Sequence, residues 1–186
     1  DGLKRCFWCA SDPIHIDYHD NEWGRPVTDD NKLYEKLCLE GFQAGLSWLT
    51  ILRKREAFRT AFKDFDPIKV ARFNDKNIER LMNNEGIVRN RAKIEATIGN
   101  AKATLKVQDQ VGSLSKLIWS FAPIKPGKAP KSFGDLPAST PESHALSKEL
   151  LKRGFKFVGP TTMYAAMQSL GLVNDHFANC HARHTA

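Results

Sequence analysis

Apolar residues recur at helical spacing along most of this chain of 186 residues, and that pattern constrains its fold more than any other feature. Leu33 and Leu37 lie one helical turn apart, and Ile94, Ile98 and Leu105 share one face of a longer segment. No segment shows a convincing alternation of apolar and polar residues, which a half-buried strand would require. We therefore expect an all-α fold.

Capping residues, prolines and glycines divide this pattern into elements. Asp29 or Asp30 can cap one helix, and Asn74 or Asp75 can cap another. The predicted helices cover about 29–40, 46–62, 75–82, 90–107, a segment that starts at Thr140-Pro141, and 160–171; Pro67–Phe73 forms a further helix or turn, and the proline-punctuated stretch 122–141 is predicted to be irregular.

Length, charge and cysteine content limit the functional classes. The length fits one compact domain over residues 1–186. A formal net charge of +7 favours a polyanionic partner but does not separate nucleic acid from acidic lipid headgroups. No apolar run approaches the ~20 residues of a membrane span, so no membrane partner is expected. Four cysteines are too few for the disulfide framework of a small secreted domain, and we expect reduced thiols in a cytoplasmic protein.

Cysteine and histidine residues at both ends of the chain form a candidate metal site. His176 and Cys180 lie four residues apart, so a single turn or short helix can direct both at one ion. The spacing of Cys6 and Cys9 resembles half of a zinc ribbon. Buried thiols and surface histidines without a metal are the alternative. The N-terminal candidates for two further ligands are Cys6, Cys9, His15 and His19.

Short blocks of sequence carry a family resemblance. They are residues 18–24 (YHDNEWG), 39–48 (LEGFQAGLSW), 154–162 (GFKFVGPTT) and 171–176 (GLVNDH). In this order they resemble the bacterial 3-methyladenine DNA glycosylase I family, from Arg5 to Cys180. The resemblance implies a helix-hairpin-helix DNA glycosylase fold with one structural zinc ion that joins residues 1–24 to 172–186. The implied zinc ligands are Cys6, His19, His176 and Cys180.

The same resemblance places Glu40, Tyr18 and Trp48 in a base-binding pocket. Adenine methylated at ring position 3 is cationic while it is joined to the sugar, so its departure as a neutral base is already favoured. A carboxylate such as that of Glu40 can attract this cation and accept hydrogen bonds from its exocyclic amino group. The indole of Trp48 can stack on the base, and the Tyr18 hydroxyl can contact a ring edge. Glu40 is therefore the candidate catalytic residue.

Two further residues are candidates for contact with the base. Trp23 either lines the pocket or packs beneath it, and His15 stands where close relatives are expected to carry a tyrosine. These assignments have ordinary structural alternatives. A tryptophan taken alone is more often a core residue, and a glutamate such as Glu40 is more often exposed on a helix.

Residues 75–107 resemble the DNA-anchoring hairpin of the family. Gly86 permits close approach of the backbone, and the next helix is expected to begin there, so that its amide groups can hold a phosphate. Positive charge on the nearby arginines would add salt-dependent affinity. The candidate DNA-binding residues are Gly86, Ile87, Val88, Arg89 and Arg91.

The resemblance implies a monomeric, monofunctional hydrolase that acts on double-stranded DNA containing alkylated bases. It would flip the damaged nucleotide into the pocket, release free 3-methyladenine and leave an abasic site. No residue is assigned as a lysine nucleophile, so strand cleavage through a Schiff base is not expected. Two alternatives stay open: a zinc-stapled DNA-binding module without catalysis, and a zinc hydrolase or deaminase with His19 and His176 at a catalytic ion.

Overall fold

The computed structural model of the chain covers residues 2–9 and 12–185 and confirms the all-α fold class. None of these residues lies in a β-strand, and none of their helices is both long and apolar enough to cross a membrane. Residues 1, 10, 11 and 186 of the predicted domain lie outside the described residues. The α-helices are α1 (Pro13–Asn21), α2 (Asp30–Gln43), α3 (Trp48–Ala61), α4 (Pro67–Val70), α5 (Asp75–Met82), α6 (Arg91–Val111), α7 (Leu114–Trp119), α8 (Pro141–Lys152) and α9 (Pro160–Ser169).

Side-chain caps begin the helices close to the predicted positions. Asp29 accepts a hydrogen bond from the amide of Lys32 and so begins α2. Asn74 takes part in a reciprocal capping box at the start of α5. Ser47 and Asn90 cap α3 and α6 through their side-chain oxygens. These local hydrogen bonds explain why short-range sequence patterns locate the helix starts well.

The ends of the helices and two short helices are predicted less well. Helix α6 continues to Val111 and ends at Gly112, whose φ is 101°. Helices α1 and α7 are missed by the apolar periodicity, because α1 carries polar residues on every side and α7 is only six residues long. The irregular stretch before α8 is confirmed, since it contains only the 3-10 turn Phe133–Asp135.

Helix α2 lies at the centre of the core, and its position decides where the candidate site forms. It packs against α3, α6, α7 and α9, and its residues Leu33, Leu37 and Phe42 are buried in the main apolar cluster. Trp48, at the start of α3, packs against both this cluster and a second one. The second cluster joins the two chain ends and consists of Cys6, Tyr18, Trp23, Leu52, Phe177, Cys180 and Ala182.

Candidate active site and metal cluster

Glu40 lies on α2 and is almost completely buried. The residue is 5% exposed, and its neighbours Leu39 and Phe42 are buried as well. Its side chain lines a cavity of about 570 Å³. This position excludes the alternative in which Glu40 is an exposed helix acid.

The five residues predicted to form the base pocket all line this one cavity. Helix α1 contributes His15 and Tyr18, and Trp23 follows shortly after its end. Glu40 comes from α2 and Trp48 from the first residue of α3. The remaining walls come from the 3-10 turn near the N-terminus, the irregular stretch before α8, and α9. The fold therefore brings together residues that are distant in the sequence.

Two ring atoms of the cavity wall have no hydrogen-bond partner among the described residues. The rings of Tyr18 and Trp48 lie 5.5 Å apart between their centroids. Trp48 Nε1 and His15 Nε2 are buried and make no hydrogen bond within the described chain. Because a buried polar atom without a partner is costly, both atoms are suited to contact a ligand in the cavity.

A pair of tryptophans connects the cavity to the cysteine and histidine residues. The ring of Trp8 lies 4.9 Å from that of Trp23 and 5.2 Å from that of His19. Trp23 also packs against His176, with 4.6 Å between ring centroids. Trp23 thus lines the pocket and packs beneath it, so its two proposed positions are not exclusive.

Lys36 is a residue that the sequence analysis overlooks. It lies one turn before Glu40 on α2, and its Nζ is 3.2 Å from Glu40 Oε1. Both side chains of this ion pair are largely buried. The signal was present in the sequence, because a lysine and a glutamate four residues apart on one helix are neighbours.

Burial controls the protonation of the groups around the cavity. Burial raises the pKa of Glu40, and the ammonium of Lys36 acts in the opposite direction. Burial also raises the pKa of Tyr18 well above its usual value, so the phenol keeps its proton. Burial lowers the pKa of His15, which favours the neutral imidazole. Glu40 is the only carboxylic acid among the described residues that line the cavity. The ammonium of Lys36 is its counter-charge.

Cys6, His19, His176 and Cys180 form a buried cluster that can hold a metal ion. All of their ligand atoms lie within 4.8 Å of one another. Cys180 Sγ is 3.4 Å from His19 Nε2 and 3.5 Å from His176 Nδ1. Sulfur and nitrogen ligands of a tetrahedral zinc ion are about 3.6 Å apart, given the usual zinc-ligand distances. The spacing and the donor types therefore fit such an ion.

Hydrogen bonds orient both imidazoles toward the centre of the cluster. His176 Nε2 donates to the Trp23 carbonyl at 3.0 Å, and His19 Nδ1 lies 2.7 Å from the Asp20 carboxylate. The opposite ring nitrogens face the two sulfurs, which is the arrangement of metal-binding histidines. Cys9 Sγ donates to the Cys6 carbonyl at 3.1 Å and is not part of the cluster.

The helix does not begin at Gly86, as the resemblance to the DNA-anchoring hairpin led us to expect, but next to residue 90, where the apolar pattern predicted its start. Helix α6 begins at Arg91, because the side chain of Asn90 supplies the cap. The amide of Gly86 donates to Asn84 Oδ1 at 2.9 Å. A Cβ at Gly86 would lie 3.0 Å from Ala57 Cβ, so the close approach at this glycine is to α3 of the protein itself.

The other residues predicted to contact DNA lie in the same connection between α5 and α6 or, for Arg91, at the first residue of α6, and they differ in exposure. Ile87 is buried in the main core, and Val88 is half-buried. Arg89 and Arg91 are exposed. Arg89 lies 4.0 Å from Glu85, and Arg91 pairs with one glutamate on each flanking helix. The two arginines are the members of this group that a phosphate can reach directly.

Comparisons with known proteins agree on one family. A family model described as methyladenine glycosylase matches residues 8–184. The chain is 50% identical over 179 residues to DNA-3-methyladenine glycosylase 1 of Escherichia coli (strain K12), with 96% of each chain covered. It is 38% identical to a 3-methyladenine DNA glycosylase I (TAG) from Staphylococcus aureus solved to explain 3-methyladenine recognition, with 98% of both chains covered and a TM-score of 0.92. The chain therefore belongs to the methyladenine glycosylase family.

Proposed function

We propose that this protein is a monofunctional DNA repair glycosylase that hydrolyses the N-glycosidic bond of 3-methyladenine in alkylated DNA. The reaction releases the free base and leaves an abasic site. The observation that carries the proposal is the buried carboxylate of Glu40 in one cavity with the indole of Trp48. Relatives at about half identity over nearly the whole chain are named for this activity.

Glu40 is the proposed catalytic residue because its charge opposes that of the substrate. The methylated purine is a cation in the nucleotide, and a carboxylate in a site with little water attracts it more strongly than it attracts neutral adenine. Trp48 offers a face for stacking and for cation–π contact. The hydroxyl of Tyr18 and the unpartnered Nε2 of His15 supply contacts to the ring edges, and Trp23 closes the wall.

Hydrolysis requires no covalent attachment to the protein. Water attacks the anomeric carbon of the flipped nucleotide, the bond to the base breaks with its electron pair moving onto the cationic purine, and the attacking water releases one proton to the solvent. Lys36, the lysine that pairs with Glu40, is not among the residues that line the cavity. Its contacts support an enzyme that does not cleave the strand through a Schiff base.

We further propose that the buried cluster holds one structural zinc ion. The four protein ligands fill a tetrahedral site and leave no position for a water molecule, so the zinc would supply stability rather than a nucleophile. Cys6 and His19 would then be tied to His176 and Cys180, which joins residues 1–24 to 172–186 in one domain. None of the four cysteines forms a disulfide, which fits a protein of the reducing cytoplasm.

The proposed DNA-binding surface is the connection from Gly86 to Arg91, within the helical hairpin 75–107. Arg89 and Arg91 would contact backbone phosphates of double-stranded DNA, and the buried Ile87 with the half-buried Val88 would hold the turn in place. The net charge of +7 agrees with such a partner. One molecule carries all the proposed contacts, so we propose that the protein acts as a monomer.

The decisive experiment is to incubate the purified protein with alkylated double-stranded DNA and to identify the released bases by mass spectrometry. We expect free 3-methyladenine and an equal number of abasic sites. DNA binding without any released base would overturn the proposal and favour a zinc-stapled DNA-binding module. A zinc hydrolase would lose its chemistry on chelation while it stays folded, whereas a structural site predicts a loss of stability first.

A further inference from the structure

Lys36 contacts the proposed base pocket from outside it. The residue lines a second cavity, of about 710 Å³, and not the cavity that contains Glu40. Tyr18 and Trp48 line both cavities, so their rings form the partition between them. The ion pair between Lys36 and Glu40 therefore crosses this partition.

The ammonium of Lys36 reaches three residues of the pocket. Besides its ion pair with Glu40, it donates a hydrogen bond to Tyr18 Oη at 2.6 Å. It also lies 3.8 Å from the ring centroid of Trp48, at cation–π distance. The side chain is 12% exposed. Burying an ammonium is unfavourable unless it is paired, and here the residues that pair it are the ones that would recognise the base.

We propose that Lys36 is a positioning residue for base recognition, which rests on the glycosylase function proposed above: its ammonium holds the Glu40 carboxylate, the Tyr18 hydroxyl and the Trp48 ring in the arrangement that the damaged base meets. Because Tyr18 Oη accepts from Lys36, the phenolic proton of Tyr18 is left to be donated elsewhere.

Lys36 also maintains the charge of Glu40. Its ion pair is the only one that Glu40 makes within the described residues. The other titratable groups that line the cavity with Glu40 are His15 and Tyr18 of α1 and Tyr164 of α9. None of them is a lysine or arginine that could replace the charge of Lys36.

On the far side of the partition, the second cavity holds the ion pair of Glu22 with Arg55, whose guanidinium donates to both carboxylate oxygens at 2.7 Å. This pair has no net charge. Without Lys36, the Glu40 carboxylate would be buried with no counter-charge beside it and would protonate at a higher pH.

The test compares Lys36→Met with Lys32→Met in the release of 3-methyladenine from alkylated DNA as a function of pH. Methionine keeps an unbranched stem of similar length but removes the charge. Lys32 lies one turn earlier on α2 and lines the same second cavity with an exposed side chain, so it is the matched control. We expect Lys36→Met to lower kcat/KM by about 10- to 100-fold, as for the loss of charged hydrogen bonds.

The pH profile separates this role from a structural one. We expect the acidic limb of kcat/KM for Lys36→Met to move to higher pH by about one unit or more, and that of Lys32→Met to match the wild type. The pKa of His15 depends on burial, Asp12 and His19, so its titration would not produce this shift. A rate that falls equally at every pH, with an unmoved limb, would overturn the role of Lys36.

The wild-type arm tests the proposed function separately. If the wild type releases no 3-methyladenine, the glycosylase function and this inference both fail. If the wild type is active and Lys36→Met matches it in rate and pH profile, only the inference fails. Lys36→Gln keeps a donor for Tyr18 without a charge and serves as the second variant if Lys36→Met does not fold; it should show the same shift of the acidic limb.

Discussion

Glu40 is an ionisable side chain that lies almost wholly out of contact with water. A carboxylate in such a place would normally become protonated unless a counter-charge or a hydrogen bond favours its ionised form. Lys36 supplies that charge from one side, and the cavity leaves room for a second cation on the other. The carboxylate of Glu40 alone can therefore favour a cationic methylated purine over neutral adenine.

Replacing Glu40 by glutamine should abolish excision and preserve DNA binding. The substitution keeps the shape of the side chain and removes its charge, so we expect the single-turnover release of 3-methyladenine to fall by about 100-fold or more. Affinity for DNA should not change, because the proposed phosphate contacts lie elsewhere. Glu56→Gln, an exposed acid on α3, is the control. Excision at the wild-type rate by Glu40→Gln would remove Glu40 from the mechanism.

The same variant should show a pH-dependent difference in stability. Burial raises the pKa of Glu40 in the folded protein above its value in the unfolded chain. The folded state therefore binds this proton more tightly, and ionised Glu40 destabilises the wild type as pH rises through the interval between the two pKa values. Glu40→Gln lacks this titration. Its unfolding temperature should rise relative to that of the wild type as the pH increases above about 4, the ordinary pKa range of a glutamate; a constant difference would contradict the assignment.

At the level of helices and their connections, the ends of α9 and α1 are held together through backbone contacts. The amide of Gly24 donates to the Ser169 carbonyl at 3.3 Å. Gly171, just after α9, has a φ of 79°. A Cβ built there would lie 2.6 Å from backbone atoms of Arg25 and Pro26. The segment that follows Trp23 is thus docked against the end of α9, which fixes one wall of the cavity.

Gly171→Ala should destabilise the protein strongly. The added methyl group meets backbone rather than a flexible side chain, and the positive φ adds strain, so we expect a loss of roughly 3 kcal/mol in the free energy of unfolding. Gly112→Ala is the matched control, because Gly112 also has a positive φ but a Cβ there would meet no other segment of the described chain within 4 Å. Denaturant titrations of both variants measure the difference, and equal losses would contradict the close contact at Gly171.

The connection between α5 and α6 should contribute to DNA affinity through its exposed arginines. Arg89→Ala should weaken binding to DNA of any sequence and lower the slope of log affinity against log salt by about 1. Lys102→Ala removes the same charge from an exposed position further along α6 and is the control. Binding measured at several salt concentrations tests this. An unchanged slope for Arg89→Ala would place the DNA on another surface.

At the scale of the whole molecule, the cysteine and histidine cluster brings the N-terminal and C-terminal segments into contact. Cys6 and His176 are 170 residues apart in the sequence, yet Cys6 Sγ is 3.7 Å from His176 Nδ1. The amide of His181 also donates to the Lys4 carbonyl at 2.9 Å. A metal ion bound here would oppose separation of the two ends, and its binding energy would become part of the folding energy.

Removal of the metal should lower stability before it lowers activity. We expect one zinc ion per chain by elemental analysis, and a fall in unfolding temperature on the order of 10 °C after chelation or in Cys180→Ser. Cys9→Ser is the control, because Cys9 is buried beside the cluster but does not belong to it. Loss of excision at temperatures where the chelated protein remains folded would contradict a structural role.

Much of the local structure, and five residues that line one cavity, could be predicted from the sequence. Helix starts at Asp29, Ser47 and Asn74 depend on hydrogen bonds from the amides three positions ahead, and such short-range interactions are visible as spacing. The family resemblance pointed to residues such as Glu40 and Trp48, because residue types in a fixed order along the sequence are enough to match a family. The helix start expected at Gly86 was wrong, because the side chain of Asn90 caps α6 close to the start that the apolar pattern predicted.

The burial of Glu40 and the charge partners of Lys36 depend on segments that are far apart in the chain. Only the tertiary structure shows them. In isolation Glu40 reads as an exposed acid, and it becomes a buried one only because α2 packs between α3, α6, α7 and α9. Lys36 is an ordinary helix lysine until Tyr18 and Trp48 close over its ammonium. The physical reason is that solvation and charge pairing are properties of a side chain's surroundings, and these surroundings form only when distant segments pack together.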